Sequence, residues 1–160
     1  MQIGIVKTVN GIDRSLAGAF SAKDPLKITL HIPRELQLVS PHMVICHDGE
    51  ADREFIPEYC GFYENGDVFT FDLDLDALCG DEDHGLFYYE FRFERNYKAV
   101  YTSSINNVDF TLTDRPARRF LLLVYQPSFT TPECFYGTTM YHIFVDRFAK
   151  GSHATPVRED

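Results

Sequence analysis

The sequence of 160 residues contains no tryptophan and no Cys-x-x-Cys pair. It also lacks the run of roughly 20 apolar residues that a membrane-spanning helix needs, and its first residues lack the apolar core of a secretory signal peptide. Basic residues number 15 against 24 acidic ones, without a long basic cluster. Since a phosphate backbone is bound through local cationic charge, nucleic-acid partners are disfavoured, and no membrane partner is expected.

Cysteine usage points to a reducing compartment. The four cysteines are widely spaced, as free and mostly buried thiols would be, and do not form the dense framework of small secreted domains. We therefore expect a cytoplasmic protein. The composition is 44% hydrophobic with 14 Phe and 9 Tyr, which excludes a disordered chain and favours strands.

Alternation of apolar and polar residues predicts several strands. In KITLHIP the alternation ends at Pro33, which cannot donate a hydrogen bond to a neighbouring strand. Residues 36–46 contain Pro41, so this strand is predicted at a sheet edge or broken by a bulge. GLFYYEFRF, residues 85–93, is predicted as a central strand whose first half is covered on both faces.

A hairpin is predicted around Asn65-Gly66, the dipeptide that tolerates positive φ at both central positions of a type I′ turn. After the turn, aromatic and aliphatic residues alternate with acids, which predicts a strand that continues through Asp76. RFLLLVYQ, residues 119–126, is predicted as a buried strand. Residues 1–23 are interpreted as a short strand or an extended, weakly ordered arm.

These seven or eight strands, without a stretch of helical periodicity, predict an all-β fold, an antiparallel immunoglobulin-like β-sandwich over residues 1–126. A barrel of similar strand count is the alternative. Residues 127–139 contain two prolines, threonines and a glycine, which is typical of a linker. A further apolar strand begins at Met140.

Aromatic residues near predicted turns are candidates for stacking on a sugar ring. Packing between sheets or against another domain is the more common role of such rings, and the absence of tryptophan favours it. The candidates are Tyr59, Phe62, Tyr63, Tyr97 and Tyr101.

Two groups of residues imitate metal ligands in spacing only. Asp72, Asp74, Asp76 and Asp83 follow the acidic pattern of a calcium-binding EF-hand loop, but its required glycine is replaced by Ala77. His42, Cys46 and His47 lie close together without the second ligand pair of a structural zinc site. Neither a metal site nor a cofactor is predicted from these residues.

TPECFYGTTMYHIFVDRFAKG, residues 131–151, resembles the opening of the catalytic domain in the alpha-amylase family, the family 13 glycoside hydrolases. GLFYYEFRF is similar to a strand in the β-sandwich that precedes this domain in neopullulanases, cyclomaltodextrinases and maltogenic amylases, a carbohydrate-binding module of family 34 or a related type. The motif positions that match are Tyr141, Ile143, Phe144, Asp146, Arg147, Phe148 and Gly151.

The resemblance implies that residues 140–160 begin a catalytic (β/α)8 barrel and that the chain is the N-terminal part of a longer hydrolase acting on α-glucosidic bonds. The family's two catalytic aspartates and its glutamate lie on later barrel strands, so the resemblance assigns no catalytic residue to this chain, and the seven motif residues are implied to be structural. Some members bind Ca²⁺ after this strand. The sequence Lys150-Gly151-Ser152 departs from their pattern and does not support that site.

Implied partners are an α-glucan or maltooligosaccharide, the catalytic barrel that would follow, and a homodimer mate. Two alternatives stay open: a stand-alone carbohydrate-binding module, and a structural interaction domain without sugar affinity. Separated from a barrel, residues 141–148 are expected to pair with another chain, fold back on the sandwich or lose order, because an exposed apolar strand recruits partners.

Overall fold

The computed structural model describes residues 2–47 and 50–139. The chain divides into two compact units, Met1–Phe129 and Thr130–Asp160. All of the strands described lie in the first unit. The part of the second unit that is described contains one 3₁₀ turn, Glu133–Phe135.

The first unit contains twelve described strands, one short helix and two 3₁₀ turns. The strands are β1 (Gly4–Val9), β2 (Ile12–Arg14), β3 (Ala19–Ser21), β4 (Pro25–Pro33), β5 (Val39–His47), β6 (Arg53–Phe55), β7 (Glu58–Tyr63), β8 (Gly66–Asp74), β9 (Gly85–Arg95), β10 (Lys98–Ser104), β11 (Phe110–Thr113) and β12 (Phe120–Tyr125). The helix α1 is Leu75–Cys79, and the 3₁₀ turns are Arg34–Leu36 and Gly80–Glu82.

A five-stranded antiparallel sheet has the order β2-β1-β4-β8-β7. Its centre is the pair β4 and β8, which run in unbroken register from Pro25 opposite Asp74 to Pro33 opposite Gly66. Strand β7 lies at one edge of this sheet and β2 at the other.

A seven-stranded sheet is built around β9, the longest strand. On one side β9 pairs with β5, and β6 lies beyond β5. On the other side β12 pairs with the first half of β9 and β10 with the second half. Strand β3 runs parallel to β12, and β11 is antiparallel to β10.

The inward faces of the two sheets form one hydrophobic core. The ring of Phe71 from β8 lies 5.7 Å from that of Phe91 from β9, which places the two sheets face to face. The apolar residues of β4 and β9 alternate between buried and less buried positions, as the period of a strand requires. The predicted all-β fold with two packed sheets is confirmed, while its immunoglobulin-like identity stays a prediction.

Several element predictions are also confirmed. Strand β9 is central, and a register shift between Val39 and His42 shows the bulge expected beside Pro41. The N-terminal region was predicted wrongly as a short strand or loose arm. Residues 4–21 instead include three strands, because Ile3, Ile5 and Val9 place apolar side chains on the inner face of the five-stranded sheet and Phe20 of β3 is buried in the core.

The turn between β7 and β8 differs from the prediction by one residue. Positive φ values occur at Glu64 (45°) and Asn65 (64°), whereas Gly66 is the first residue of β8 and pairs with Tyr63. Glycine at position 66 has another reason: a Cβ there would lie 2.5 Å from Nε2 of His31. The dipeptide therefore combines a turn residue with a close packing contact.

Three further predictions were wrong in detail. Strand β8 ends at Asp74, where the carboxylate accepts a hydrogen bond from the backbone N–H of Ala77 and caps α1. Strand β12 is buried on one face only, since Leu123 on the other face is 47% exposed. The first half of β9 is likewise not covered on both faces, because Leu86, directly opposite Leu123, is exposed.

Candidate functional site

The strand β7, at an edge of the five-stranded sheet, carries three of the five predicted aromatic candidates. Tyr59, Phe62 and Tyr63 are 54%, 53% and 64% exposed. A bulge interrupts the pairing with β8 between Tyr59 and Gly61, where Gly61 has φ of +122°. The extra residue brings positions 59 and 62 to the same side of the strand, although residues three apart otherwise face opposite ways.

A bidentate ion pair fixes the rings of Tyr59 and Phe62. The Arg34 guanidinium donates from Nε to Oδ2 of Asp67 at 2.9 Å and from Nη2 to Oδ1 at 2.7 Å. Tyr59 Oη also donates to Oδ1 of Asp67, at 3.1 Å. The Arg34 Cζ atom lies 4.2 Å from the centroid of the Phe62 ring. We call Arg34, Tyr59, Phe62, Tyr63 and Asp67 the aromatic edge.

The backbone positions Arg34 at the end of β4. Pro33 ends that strand, and the 3₁₀ turn that follows is closed by Gln37, whose N–H donates to the Arg34 carbonyl. The Arg34 N–H in turn donates to the carbonyl of Asn65 at 3.1 Å, in the turn before β8. Residue 34 is therefore held beside residue 67 by the register of β4 and β8.

The electrostatics of the site suit binding better than proton transfer. The hydrogen bonds from Arg34, and the weaker one from Tyr59, hold the pKa of Asp67 below its ordinary value. Such a carboxylate stays ionised and accepts hydrogen bonds, whereas a general acid needs a raised pKa. The guanidinium covers one side of Phe62, and the ring remains half exposed. A cavity of about 300 Å³ lies beside it, lined by Arg34, Glu35, Phe62 and Asn65.

The remaining two candidates lie on the seven-stranded sheet. Tyr97 is 96% exposed at the turn between β9 and β10, with φ of 60°. Tyr101 lies on β10 opposite Arg92, whose guanidinium carbon is 5.7 Å from the tyrosine ring. The structure thus places three of the five aromatics on one strand, where Tyr59 and Phe62 share a side, and separates the other two from them.

Arg34 and Asp67 were not found from the sequence. They are 33 residues apart, and neither belongs to a recognisable motif. Their proximity follows from the antiparallel register of β4 and β8, which a correct assignment of that pairing would have shown.

Several of the residues with metal-like spacing have structural partners. Lys27 Nζ lies 3.2 Å from Asp72, Asp74 caps α1, and the His47 ring contacts Glu50 at 3.3 Å. Across residues 2–47 and 50–139 there is no group of three His, Cys, Asp or Glu residues that could hold a metal ion. In the same ranges, no helix is long and apolar enough to cross a membrane. Cys60 is exposed and Cys46 half-buried, so the prediction of mostly buried thiols was wrong.

Comparison of the chain with protein-family models, with curated proteins and with solved structures finds no match. The motif residues Tyr141, Ile143, Phe144, Asp146, Arg147, Phe148 and Gly151 lie outside the described residues. The prediction that residues 141–148 pair with another chain, fold back on the sandwich or lose order also concerns residues outside the described ranges, and it stays a prediction.

Proposed function

We propose that this chain supplies the immunoglobulin-like β-sandwich of an alpha-amylase-family glycoside hydrolase and that its aromatic edge contacts the α-glucan substrate. The observation that carries the binding role is the pair of half-exposed rings, Tyr59 and Phe62, held in place by Arg34 and Asp67. Membership of the family rests on the motif in residues 131–151.

The proposed contact uses rings and charged groups together. The apolar C–H face of a glucose unit packs on an aromatic ring, while its hydroxyl groups meet polar atoms around the ring. Because Arg34 and Asp67 already bind each other in two hydrogen bonds, the rings do not need to be ordered when the sugar arrives. Preorganisation of this kind lowers the entropic cost of binding.

Hydrolysis is assigned to the barrel that follows the sandwich in this family, and the sandwich itself is proposed as non-catalytic. In such enzymes two carboxyl groups act on an oxocarbenium-like transition state. The role of the aromatic edge is then to raise the local concentration of glucan near that barrel.

The test is calorimetric titration of the 160-residue chain with maltohexaose, with Phe62→Ala and Tyr59→Ala as variants. Loss of one stacking ring, worth about 1 kcal/mol, is expected to weaken binding roughly fivefold. Tyr97→Ala is the matched control, since it removes an exposed tyrosine from the other sheet and is expected to leave affinity unchanged. Absence of binding by the unmodified chain at millimolar maltohexaose would contradict the glucan contact.

A second candidate, an interaction domain without sugar affinity, is favoured by the outer face of the seven-stranded sheet. Leu86 and Leu123 are directly opposite each other and are 41% and 47% exposed. Tyr125, 37% exposed, lies 6.3 Å from the ring of Phe129. A contiguous apolar face of this kind suits a second copy of the chain.

This candidate predicts a dimer that light scattering detects at micromolar concentration and that Leu123→Lys converts to monomer. A monomeric wild-type chain that binds maltohexaose would decide against it. A dimer that binds no saccharide would decide for it.

A further inference from the structure

The dipeptide Asn-Gly occurs twice in the sequence, at residues 10–11 and at residues 65–66. The first copy lies in the turn between β1 and β2, and the second begins in the turn between β7 and β8. An asparagine followed by glycine is chemically labile, because glycine has no Cβ to keep its own nitrogen away from the asparagine side chain. The same labile group therefore lies in two different surroundings.

The reaction of this group consumes only water. The backbone nitrogen of the glycine loses its proton to hydroxide and attacks the side-chain carbonyl carbon of the asparagine. A C–N bond forms, the side-chain nitrogen takes a proton from water and leaves as ammonia, and a five-membered succinimide ring results. Water then opens the ring at either carbonyl and yields aspartate or isoaspartate. A glycine N–H that donates a hydrogen bond in the fold must first lose that bond, which slows the reaction.

In the β1–β2 turn the nitrogen that attacks is free. Val9 pairs with Ile12, so Asn10 and Gly11 are the two central residues, with φ of 51° and 75°. A hairpin turn of this kind is closed by a hydrogen bond from the residue after the central pair, and its second central residue takes no part in that bond. Within the described part of the chain, neither the Gly11 N–H nor the Asn10 carboxamide makes a hydrogen bond.

This hairpin also opens easily at its turn. Strand β2 has three residues, all of them exposed, and it is the edge strand of its sheet. Ring closure rotates the peptide plane between asparagine and glycine, so the turn must open transiently before the nitrogen can attack. Local opening costs least where few buried contacts break, and the β1–β2 turn meets that condition.

In the β7–β8 turn the corresponding nitrogen is engaged. Here Tyr63 pairs with Gly66, so the glycine follows the two central residues and its N–H faces the Tyr63 carbonyl. The Arg34 N–H donates to the Asn65 carbonyl at 3.1 Å. Because this bond flanks the pair of Pro33 and Gly66, the Gly66 N–H points away from β4 and toward β7.

Further contacts hold the β7–β8 turn closed. His31 Nε2 donates to the Tyr63 carbonyl at 2.7 Å, and Gly66 is buried against the same imidazole ring. The Asn65 carboxamide itself is exposed and makes no hydrogen bond with the residues that the structure describes. The two asparagine side chains are therefore equally available, and the difference between the two copies lies in the backbone.

We infer that Asn10 is a deamidation site of the folded protein and that the fold protects Asn65 from the same reaction. Either product adds a negative charge to a chain whose formal net charge is -9. Isoaspartate also adds one atom to the backbone of a two-residue turn, which disrupts the pairing of β2 with β1. The inference does not rest on the proposed glucan contact.

The test follows both dipeptides in one sample of the full chain during incubation at mildly alkaline pH. Peptide mapping by mass spectrometry, with digestion at acidic pH to prevent further reaction, measures the two rates separately. In the folded protein, deamidation is expected to be at least about tenfold faster at Asn10 than at Asn65. In concentrated urea the two rates are expected to converge, because neither turn is present there. The unfolded chain is thus the internal control for the two local sequences.

Asn10→Gln is the matched variant. It keeps the carboxamide but has to close a larger ring, so the first mass change of the folded chain is expected to disappear. The inference is overturned if the two asparagines react at equal rates in the folded chain, or if Asn65 reacts faster. It is also overturned if the folded chain reacts at neither site while the unfolded chain reacts at both, or if Asn10→Gln deamidates as fast as wild type.

Discussion

Among the described residues, one acidic and one basic side chain are completely buried, Glu90 and Lys7, and the two sheets accommodate them in opposite ways. Lys7 points from β1 into the core between the sheets, where its Nζ donates to the Leu16 carbonyl at 2.8 Å and lies 4.8 Å from the Tyr89 ring. No ion pair involves it within the described ranges. Burial lowers the pKa of Lys7 to about 8. The cation–π contact with Tyr89 and the lowered pKa therefore both reduce the cost of burying the Lys7 ammonium.

Glu90 lies on the outer face of the seven-stranded sheet and is buried beneath charges of the opposite sign. Its Oε1 accepts from Arg92 Nε at 3.0 Å and lies 3.7 Å from Arg119 Nη2. Asp52 joins the same cluster, accepting from both nitrogens of Arg119 at 2.8 and 3.0 Å. Hydrogen bonds from Arg119 hold the pKa of Asp52 below its ordinary value. The negative charge of Glu90 is compensated by the guanidinium groups of Arg92 and Arg119, whereas the burial of Lys7 in the core lowers its pKa.

The largest effect is expected from removing the compensation. The double variant Arg92→Met/Arg119→Met leaves Glu90 buried without these two counter-ions while keeping an unbranched apolar side chain at both positions. It is expected to lower the free energy of unfolding by about 4 kcal/mol, as measured by urea denaturation.

Lys27→Met is the matched control, because it breaks an ion pair whose two side chains are 51% and 64% exposed. It is expected to cost less than about 1 kcal/mol. Equal losses in the two variants would show that burial of Glu90 has no energetic importance.

The sequence predicts the inner face of β9 but not this cluster. Alternation within residues 85–93 places Phe87, Tyr89, Phe91 and Phe93 on one face of the strand, and all four are buried. Nothing in the sequence around Arg119 indicates that it reaches Asp52, 67 residues away along the chain. Alternation is a local property, while ion pairs depend on strand register and loops.

The same limit applies to the aromatic edge and to Lys7. Exposed aromatics were recognisable near turns, but the contacts of Arg34 and Asp67 require the pairing of β4 with β8. Lys7 occupies an apolar position in the alternation Ile3, Ile5, Val9. The sequence pattern alone therefore indicates that its side chain points into the core. What makes that position tolerable, the Leu16 carbonyl and the Tyr89 ring, comes from elsewhere in the fold.

The second prediction concerns pH. Between pH 8 and 10.5 the unfolded chain retains a proton on Lys7 that the folded chain has released. Stability linked to Lys7 therefore rises with pH across this window, by about 3 kcal/mol in total. Burial also raises the pKa of Tyr89, which opposes folding at still higher pH. The effect of Lys7 is therefore measured as the difference in the free energy of unfolding between wild type and Lys7→Met at each pH. If this difference does not change between pH 7 and 10, the claim that burial lowers the pKa of Lys7 is refuted.

The smallest expected effect is a gain in stability at pH 7 from Lys7→Met itself. Methionine fills similar space among Phe20, Tyr89 and the loop at Leu16, and it removes the desolvation cost of the amine. The variant also loses the hydrogen bond to the Leu16 carbonyl, which is worth about 1 kcal/mol. The net result is expected to be stabilisation by about 2 kcal/mol in urea denaturation, in contrast to the loss at Arg92 and Arg119. A destabilised Lys7→Met would mean that the amine anchors the loop more strongly than its burial opposes folding. In that case both buried charges would be structural supports, and the contrast between the two sheets would disappear.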